Sequence, residues 1–130
     1  MIRNNEKTEP SIKLKVEEIL RRLNKNSRSF GVYFGDEYVG YVSFVNYDRK
    51  NPEIQIELSE AHRNKGIGFR ALSLLTKRIF EEKQDIEYFV YCVMVDNPAS
   101  IRLIEKLGGK KIETEHFVEK NVNKYHILRD

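Results

Sequence analysis

A short segment from His62 to Arg70 has the residue types that bind a phosphate group. Gly66 and Gly68 are separated by one residue, a spacing that lets the backbone turn tightly and direct several N–H groups into one concavity. A helix beginning directly after the loop adds about half a positive charge at its N-terminus. Three cations accompany the loop: Arg63, Lys65 and Arg70. The segment therefore predicts a pyrophosphate site.

Other nucleotide-binding loops fit this segment less well. A Walker loop is excluded, because no Gly-Lys-Ser/Thr triplet follows the glycines. The dinucleotide fingerprint is not excluded by its pattern alone, since Ala71 stands at the third glycine position and alanine is tolerated there. However, antiparallel hairpins are predicted before the loop. The acidic residue roughly twenty positions on, Glu87, falls in a buried strand and is poorly placed to bind a ribose.

Hydrophobic patterns place the loop between a strand and a helix. Residues 53–58 alternate strictly, so their apolar side chains share one face of a strand. After the glycines, apolar residues at helical spacing predict a helix from Phe69 to about Lys83. The almost wholly apolar stretch 86–95 predicts a strand covered on both faces. This strand-helix-strand order is a β-α-β crossover and implies a parallel pair within a mixed sheet.

The rest of the chain is predicted to add helices and hairpins to one domain, residues 1–130. Residues 1–27 are expected to hold one helix with a single apolar stripe: Ile12, Val16, Ile19, Leu20 and Leu23. Hairpin strands are expected over 30–34 and 38–47, and over 112–118 and 124–128. Asn97 and Pro98 are expected to begin a third helix, which Gly108 and Gly109 end.

Composition excludes several classes of protein. The chain has 130 residues, of which 40% are hydrophobic and 33% charged, as in soluble globular domains and unlike disordered tails. Its net charge of +3 is interspersed, so no basic block indicates nucleic-acid binding. The longest apolar run, 89–95, is too short to span a bilayer, and the N-terminus lacks the apolar core of a signal peptide. We expect a cytoplasmic protein without membrane or nucleic-acid partners.

No metal site is expected. Cys92 is the only cysteine, which excludes an internal disulfide and a cysteine-rich metal site. Its place in the apolar run predicts a buried small hydrophobic residue rather than a nucleophile. His62 lies in the loop and is expected to face solvent. His116 and His126 fall on the last hairpin without metal-ligand spacing.

Two blocks of sequence, in this order and on these elements, carry a family resemblance. Residues 63–68, Arg-Asn-Lys-Gly-Ile-Gly, are similar to the Arg/Gln-x-x-Gly-x-Gly/Ala loop with which GNAT N-acetyltransferases hold the pyrophosphate of acetyl-CoA. Residues 97–109 resemble that family's Asn-x-x-Ser/Ala…Glu-Lys-x-Gly helix. In the family, this helix follows a strand that splays from its neighbour and admits the pantetheine arm. The resemblance covers about Phe30 to Leu128.

The resemblance implies a mixed, mostly antiparallel sheet with a central parallel β-α-β pair and helices on both faces. It implies acetyl-CoA as co-substrate and no metal. Backbone amides of the loop would hold the pyrophosphate, and those near Leu58 and Ser59 would meet the pantetheine and the thioester carbonyl. Asn97 and Ser100 would lie along the pantetheine or cysteamine end. A helix cap explains Asn97 equally well, and a first-turn polar residue is the alternative for Ser100. The cofactor-binding residues are then Leu58, Ser59, Arg63, Asn64, Lys65, Gly66, Ile67, Gly68, Phe69, Asn97 and Ser100.

The implied reaction is direct transfer of the acetyl group to a primary amine of a small molecule or peptide. An alkyl amine is almost entirely protonated at pH 7, so its attack needs a base or a water chain. Glu57 is the first candidate for the base, since its strand leads into the loop; a solvated strand face shared with Glu53 and Gln55 explains it at least as well. Tyr125 is a candidate acid.

Two departures from the family pattern leave alternatives open. Ile104 stands where many members carry a tyrosine that protonates the departing thiolate. That function is absent, supplied by another residue, or unnecessary because the thiol is acidic enough to leave as thiolate. The alternatives to an enzyme are therefore a non-catalytic acyl-CoA-binding or regulatory module, and an interaction protein that uses the sheet alone.

The second departure lies in residues 1–27, which are shorter than the strand and two helices that usually open the family. The acceptor side is then open, closed by a partner chain, or without the first strand. Dimers are common in this family, so a homodimer is also compatible with the resemblance.

Overall fold

The chain folds around a seven-stranded mixed sheet, and the computed structural model describes residues 13–19 and 26–129. The strands are β1 Leu14–Ile19, β2 Ser27–Phe34, β3 Glu37–Val45, β4 Glu53–Leu58, β5 Tyr88–Met94, β6 Lys110–His116 and β7 Asn121–Leu128. The helices are α1 Ile67–Glu82 and α2 Pro98–Lys106, and a 3-10 turn, Glu60–His62, precedes α1. No helix in these ranges combines the length and apolar character needed to cross a bilayer.

The strand order is β1-β2-β3-β4-β5-β7-β6. Only β4 and β5 pair in parallel, and all other neighbours within the described ranges are antiparallel. The predicted fold class, a mostly antiparallel mixed sheet with a central parallel β-α-β pair, is confirmed.

The predicted N-terminal helix is wrong for the residues that the structure describes. Residues 14–19 form β1, which pairs with β2, and residues 12, 20 and 23 of the predicted stripe lie outside the described ranges. Alternate side chains of β1, those of Leu14, Val16 and Glu18, are half-buried. Glu18 obscures this alternation because it is charged; its carboxylate lies 2.7 Å from Arg28 Nε. The first strand is therefore present, so a missing first strand does not explain why the N-terminal segment is short.

Both helices pack against the same face of the sheet. Cross-strand pairing aligns Phe30, Val42 and Ile56 on that face, and Gly68 of α1 packs against the side chains of Ile56 and Leu58. In the described residues the opposite face carries no helix, so the expectation of helices on both faces is not met there. Only seven residues, 20–26, link β1 to β2.

We call the second side of the sheet the open face. Its side chains include Tyr41 and Glu57, which pair across β3 and β4, and Cys92 and Lys124, which pair across β5 and β7. In β5, Phe89, Tyr91 and Val93 are buried under the helices, whereas Cys92 on the open face is half-buried. The prediction that both faces of this strand are covered is therefore wrong, and Cys92, which was predicted to be buried, is half-buried.

The core lies between the two helices and the face they cover. Leu72, Leu75 and Ile79 of α1 are completely buried there. Aromatic rings fill the centre: the ring of Phe89 lies 5.2 Å from that of Phe44 and 4.5 Å from that of Phe80, between centroids. Such tilted contacts stabilise beyond the area that they bury.

The β6–β7 hairpin completes the sheet, with β6 at the edge. The register between the two strands shifts between Lys111 and Glu113, so Ile112 forms a β-bulge and is half-exposed. After β7, the guanidinium of Arg129 donates to the carbonyls of Phe80, Lys83 and Ile86 at 2.6 to 3.0 Å. These bonds satisfy carbonyls at and just beyond the end of α1 and anchor the end of the chain to it.

Candidate functional site

Strands β4 and β5 begin as neighbours and then separate. Their register contains a single described pair, Glu53 with Val90. Two backbone bonds hold this end together: Glu87 N donates to Lys50 O at 2.7 Å and Val90 N to Pro52 O at 2.9 Å. Farther along, β4 pairs with β3 and β5 pairs with β7. A cleft therefore opens between the carboxyl ends of the two parallel strands, the position at which α/β sheets bind ligands.

Two cavities occupy this cleft. The larger, of about 800 Å³, lies between the end of β4, the first turn of α1 and one side of α2. The smaller, of about 340 Å³, lies between β4 and β5 themselves. Ile56, Asn97 and Ser100 line both cavities, so the two adjoin each other. The smaller cavity is lined from both sides of the sheet, by Tyr91 from the helix side and Cys92 from the open face.

Most of the predicted site residues converge on the larger cavity. Nine of them line it: Glu57, Leu58, Arg63, Asn64, Gly66, Gly68, Phe69, Asn97 and Ser100. Ser59, Lys65, Ile67 and Tyr125 line neither cavity. Ile67 is instead a core residue, 2% exposed.

The first turn of α1 presents unsatisfied donors to the larger cavity. Gly66 is the N-cap with φ of 80°, and no side chain caps the turn. The first backbone bond of the helix runs from Arg70 N to Gly66 O, so the amides of the preceding residues lack intrahelical acceptors. Asn64 also adopts a left-handed conformation, with φ of 61°, which asparagine tolerates better than most residues. The arrangement fits an anionic group such as a phosphate.

Gly68 allows α1 to approach its neighbours closely. A β-carbon on Gly68 would lie 3.4 Å from the side chain of Leu103 and 3.5 Å from that of Leu58, which is ordinary contact. A β-carbon on Gly66 would meet no protein atom within 4 Å. Glycine is therefore favoured at position 66 by the left-handed backbone conformation there. At position 68, by contrast, a larger side chain would push apart α1, α2 and β4.

The beginning of α2 closes the other side of the cleft. The side-chain oxygen of Asn97 accepts a bond from Ser100 N at 3.2 Å, so the predicted N-cap is confirmed. Sequence analysis missed Tyr91, which reaches this point from β5 and lines the smaller cavity beside Asn97 and Ser100. Burial raises the pKa of Tyr91, and the Ser100 side chain opposes this in part.

The cations that line the larger cavity differ from those expected. Arg63 lines it, with Nε donating to Leu58 O at 3.0 Å, but Lys65 and Arg70 do not. Arg102 and Lys106 of α2 line it instead, and Lys106 Nζ lies 4.3 Å from the centroid of the Phe69 ring. The sequence did contain a signal for these two cations: they are four residues apart, which puts both side chains on one side of the helix.

The two predicted catalytic side chains lie in different environments. Glu57 is on the open face, its side chain is 62% exposed, and a carboxylate oxygen lies 3.4 Å from a terminal nitrogen of Arg63. Tyr125 is 2% exposed on the helix side of β7 and does not reach the cleft. Burial raises the pKa of Tyr125, and the neighbouring Glu105 carboxylate adds to the rise.

Two further residues that the sequence singled out also have defined surroundings. Burial raises the pKa of Cys92, with the Glu53 carboxylate adding to the effect, so its thiol stays protonated. His62 is half-buried rather than facing solvent, since Nδ1 lies 2.6 Å from Ser59 Oγ and Nε2 lies 3.5 Å from Glu37 Oε1. Its ring thus links the 3-10 turn to the start of β3.

Comparison with known proteins supplies independent findings. A family model for the acetyltransferase (GNAT) family matches residues 2–109. A search of curated proteins gives no significant match. Among similar solved structures is a spermidine N-acetyltransferase from Vibrio cholerae in complex with CoA and spermine, with 23% identity and a TM-score of 0.70 over 80% of this chain and 66% of that one. Another is RimL, a ribosomal L7/L12 alpha-N-protein acetyltransferase, with 22% identity and a TM-score of 0.70 over 80% and 61%. The chain spans less than two thirds of either protein.

Proposed function

Because the chain belongs to the acetyltransferase (GNAT) family, we propose that it transfers the acetyl group of acetyl-CoA to a primary amine. One observation carries this proposal. The glycine-capped first turn of α1 and the gap between β4 and β5 border two adjoining cavities. A ligand with a pyrophosphate at one end and a narrow arm at the other fits this path.

The chain offers different chemistry along the path. At the helix end, the amides of the first turn of α1 would bind the pyrophosphate, and Arg102 and Lys106 would balance its charge. Ile56 and Leu58 would contact the pantetheine arm, and the side-chain NH2 of Asn97 could donate to its amides. The arm would then bring the thioester into the smaller cavity, which the open face also borders.

The acceptor would approach from the open face. One similar structure holds spermine, and another acts on the alpha-amine of a ribosomal protein, so both reactions involve primary amines. The open face has no helix over it in the described part of the chain, which suits either a small polyamine or a peptide terminus. Glu57 would take the proton of the amine, directly or through water, and the neutral nitrogen would attack the thioester carbonyl carbon.

The capping glycine provides the direct test of cofactor binding. In Gly66→Ala, the left-handed backbone becomes unfavourable by about 1 to 2 kcal/mol, and the amides no longer converge. We expect the dissociation constant for CoA, measured by titration calorimetry, to rise at least about tenfold. Gly108 provides the matched control, because its φ is 89°, a β-carbon there also meets nothing within 4 Å, and it lies outside the cleft.

Gly108→Ala should therefore lose similar thermal stability while CoA binds as in the wild type. Equal CoA affinity in the two variants would overturn the phosphate-loop assignment. The acetyl transfer itself is tested by thiol release from acetyl-CoA with spermidine, spermine and a short peptide as acceptors.

A second prediction concerns the two cations of α2. The double variant Arg102→Gln with Lys106→Gln should weaken CoA binding about tenfold or more at low salt, and should flatten the dependence of affinity on ionic strength. Lys65→Gln with Arg70→Gln removes the same charge from exposed positions that line neither cavity. Calorimetry at two salt concentrations compares the pairs. A larger loss in the control pair would show that the loop cations, rather than α2, bind the phosphates.

A non-catalytic acyl-CoA-binding module remains the second candidate, and one observation favours it. Ile104, at the usual position of the acid in the family, is completely buried and packs against Gly109. Tight binding of acetyl-CoA without thiol release for any amine in the panel would support the module. Release with one acceptor would exclude it.

A further inference from the structure

The transferase reaction proposed above, on which this inference rests, releases a thiolate. Ile104 cannot donate a hydrogen bond, and Tyr125 does not line either cavity. In the described part of the chain, Tyr91 is the only tyrosine that lines the cleft. It comes from a different element than the family's tyrosine, since it lies on β5 rather than on α2.

Tyr91 lines the smaller cavity beside Ser100. Ser100 lines both cavities together with Ile56 and Asn97, so Tyr91 lies next to the residues at which the cavities adjoin. An acyl arm that starts at the first turn of α1 must pass these residues to reach the gap between the strands. The thioester sulfur therefore passes close to the Tyr91–Ser100 pair before the acetyl group reaches the open face.

We propose that Tyr91 donates a hydrogen bond to the sulfur of the departing thiolate, and that Ser100 orients the Tyr91 hydroxyl. In this step the amine nitrogen forms a bond to the carbonyl carbon, and the carbon–sulfur bond breaks with its electron pair moving to sulfur. The nitrogen loses one proton to solvent, and the thiolate later takes one from solvent. Tyr91 itself stays protonated throughout.

A hydrogen bond fits this tyrosine better than complete proton transfer. A thiol has an ordinary pKa near 8.5, well below that of a phenol, so a thiolate does not take the proton of tyrosine readily. Burial raises the pKa of Tyr91 further, which favours the protonated phenol as a donor. When Ser100 donates to the phenol oxygen, the proton of the phenol is directed elsewhere, and the cleft is the polar space beside it.

Tyr91→Phe tests the proposal while keeping the ring in the core. We expect kcat for amine acetylation to fall by about 10²-fold, as when one donor to a developing anion is removed, with the dissociation constant for acetyl-CoA unchanged. Ser100→Ala should lower kcat less, and the double variant should be no worse than Tyr91→Phe alone, because both act through one hydrogen bond. Thermal unfolding confirms that each variant folds.

A second readout separates this role from a structural one. The thiol of bound CoA is titrated by the ultraviolet absorbance of its thiolate, after subtraction of the same titration of the protein alone. In the wild type the hydrogen bond should lower the pKa of that thiol, and Tyr91→Phe should raise it by about one unit. Tyr125→Phe is the competing variant. Loss of kcat in Tyr125→Phe, or an unchanged thiol pKa in Tyr91→Phe, would overturn the proposal, whereas a wild type that neither binds CoA nor acetylates amines would refute the function itself.

Discussion

Glu57→Gln is expected to lower kcat for amine acetylation by about 10²- to 10⁴-fold while acetyl-CoA binds as in the wild type. The substitution keeps the size and hydrogen-bonding capacity of the side chain but removes its basicity. Glu57 lies at the mouth of the cleft on the open face, where the amine must lose a proton before it attacks. The measurement is a steady-state titration of both substrates, with the pH dependence of kcat recorded for both proteins.

A matched control is available in the same cross-strand row. Glu17 pairs with Gly31, Gly31 with Tyr41, and Tyr41 with Glu57, so Glu17 lies three strand spacings of about 4.8 Å away. Its carboxylate lies 3.4 Å from Lys15 Nζ and its side chain is 56% exposed, close to the values for Glu57. Glu17→Gln should keep wild-type kcat. A rise in KM for the amine at constant kcat in Glu57→Gln would instead assign Glu57 to attracting a cationic acceptor.

Gly40→Ala should cause the largest loss of stability, about 3 kcal/mol, and a fall in melting temperature on the order of 10 °C. A β-carbon on Gly40 would lie 2.0 Å from the carbonyl oxygen of Glu57 and 2.9 Å from the Cα of Leu58. These are backbone atoms, so β3 and β4 must move apart. Because β4 also forms one wall of the cleft, acetyl transfer should fall with stability even in the fraction that remains folded.

Gly31→Ala is the comparison for this substitution. Gly31 is also buried within a central strand, but a β-carbon there would meet only side-chain atoms of Tyr33 and Tyr38, at 3.2 Å and 3.4 Å. Those rings can rotate, so we expect a loss of about 1 kcal/mol or less with transfer activity retained. Scanning calorimetry and a transfer assay on both variants give the answer. Equal stability losses in Gly40→Ala and Gly31→Ala would mean that the backbones of β3 and β4 move apart at Gly40 as easily as the tyrosine rings rotate at Gly31.

The glycine turn before α1 and the fold around it could be predicted from the sequence because several local signals agreed. Gly66, the alternation of residues 53–58 and the cap formed by Asn97 each specify local backbone structure, and together they determine a β-α-β unit. Tertiary contacts did not need to be known for that prediction.

The N-terminal strand could not be predicted in the same way, because two periodicities compete there. Val16 and Ile19 fit a helical stripe, but Leu14 and Val16 also alternate with charged residues, as in a strand. The row that faces the helices includes Glu18, whose charge is paired there with Arg28 from β2. A partner that lies in another strand is invisible to a local pattern.

The residues missed at the site share a similar cause. Tyr91 lies in an apolar run, as a core residue does, and Arg102 and Lys106 are charged, as residues on the solvated side of a helix are. Each becomes part of the site only because β5 diverges from β4 and α2 crosses the end of the gap. Tyr125, conversely, has suitable chemistry but is placed one strand too far away.

The bulge at Ile112 also bears on how the protein behaves at high concentration. An edge strand with unpaired N–H and C=O groups is a template on which another chain can add a strand and begin aggregation. In β6, the exposed Lys110 and Lys111 precede the bulge, which interrupts the regular spacing of those groups. An incoming strand would meet two positive charges and then an offset in the ladder. This edge of the sheet is thereby protected from intermolecular strand addition, which limits aggregation through β6.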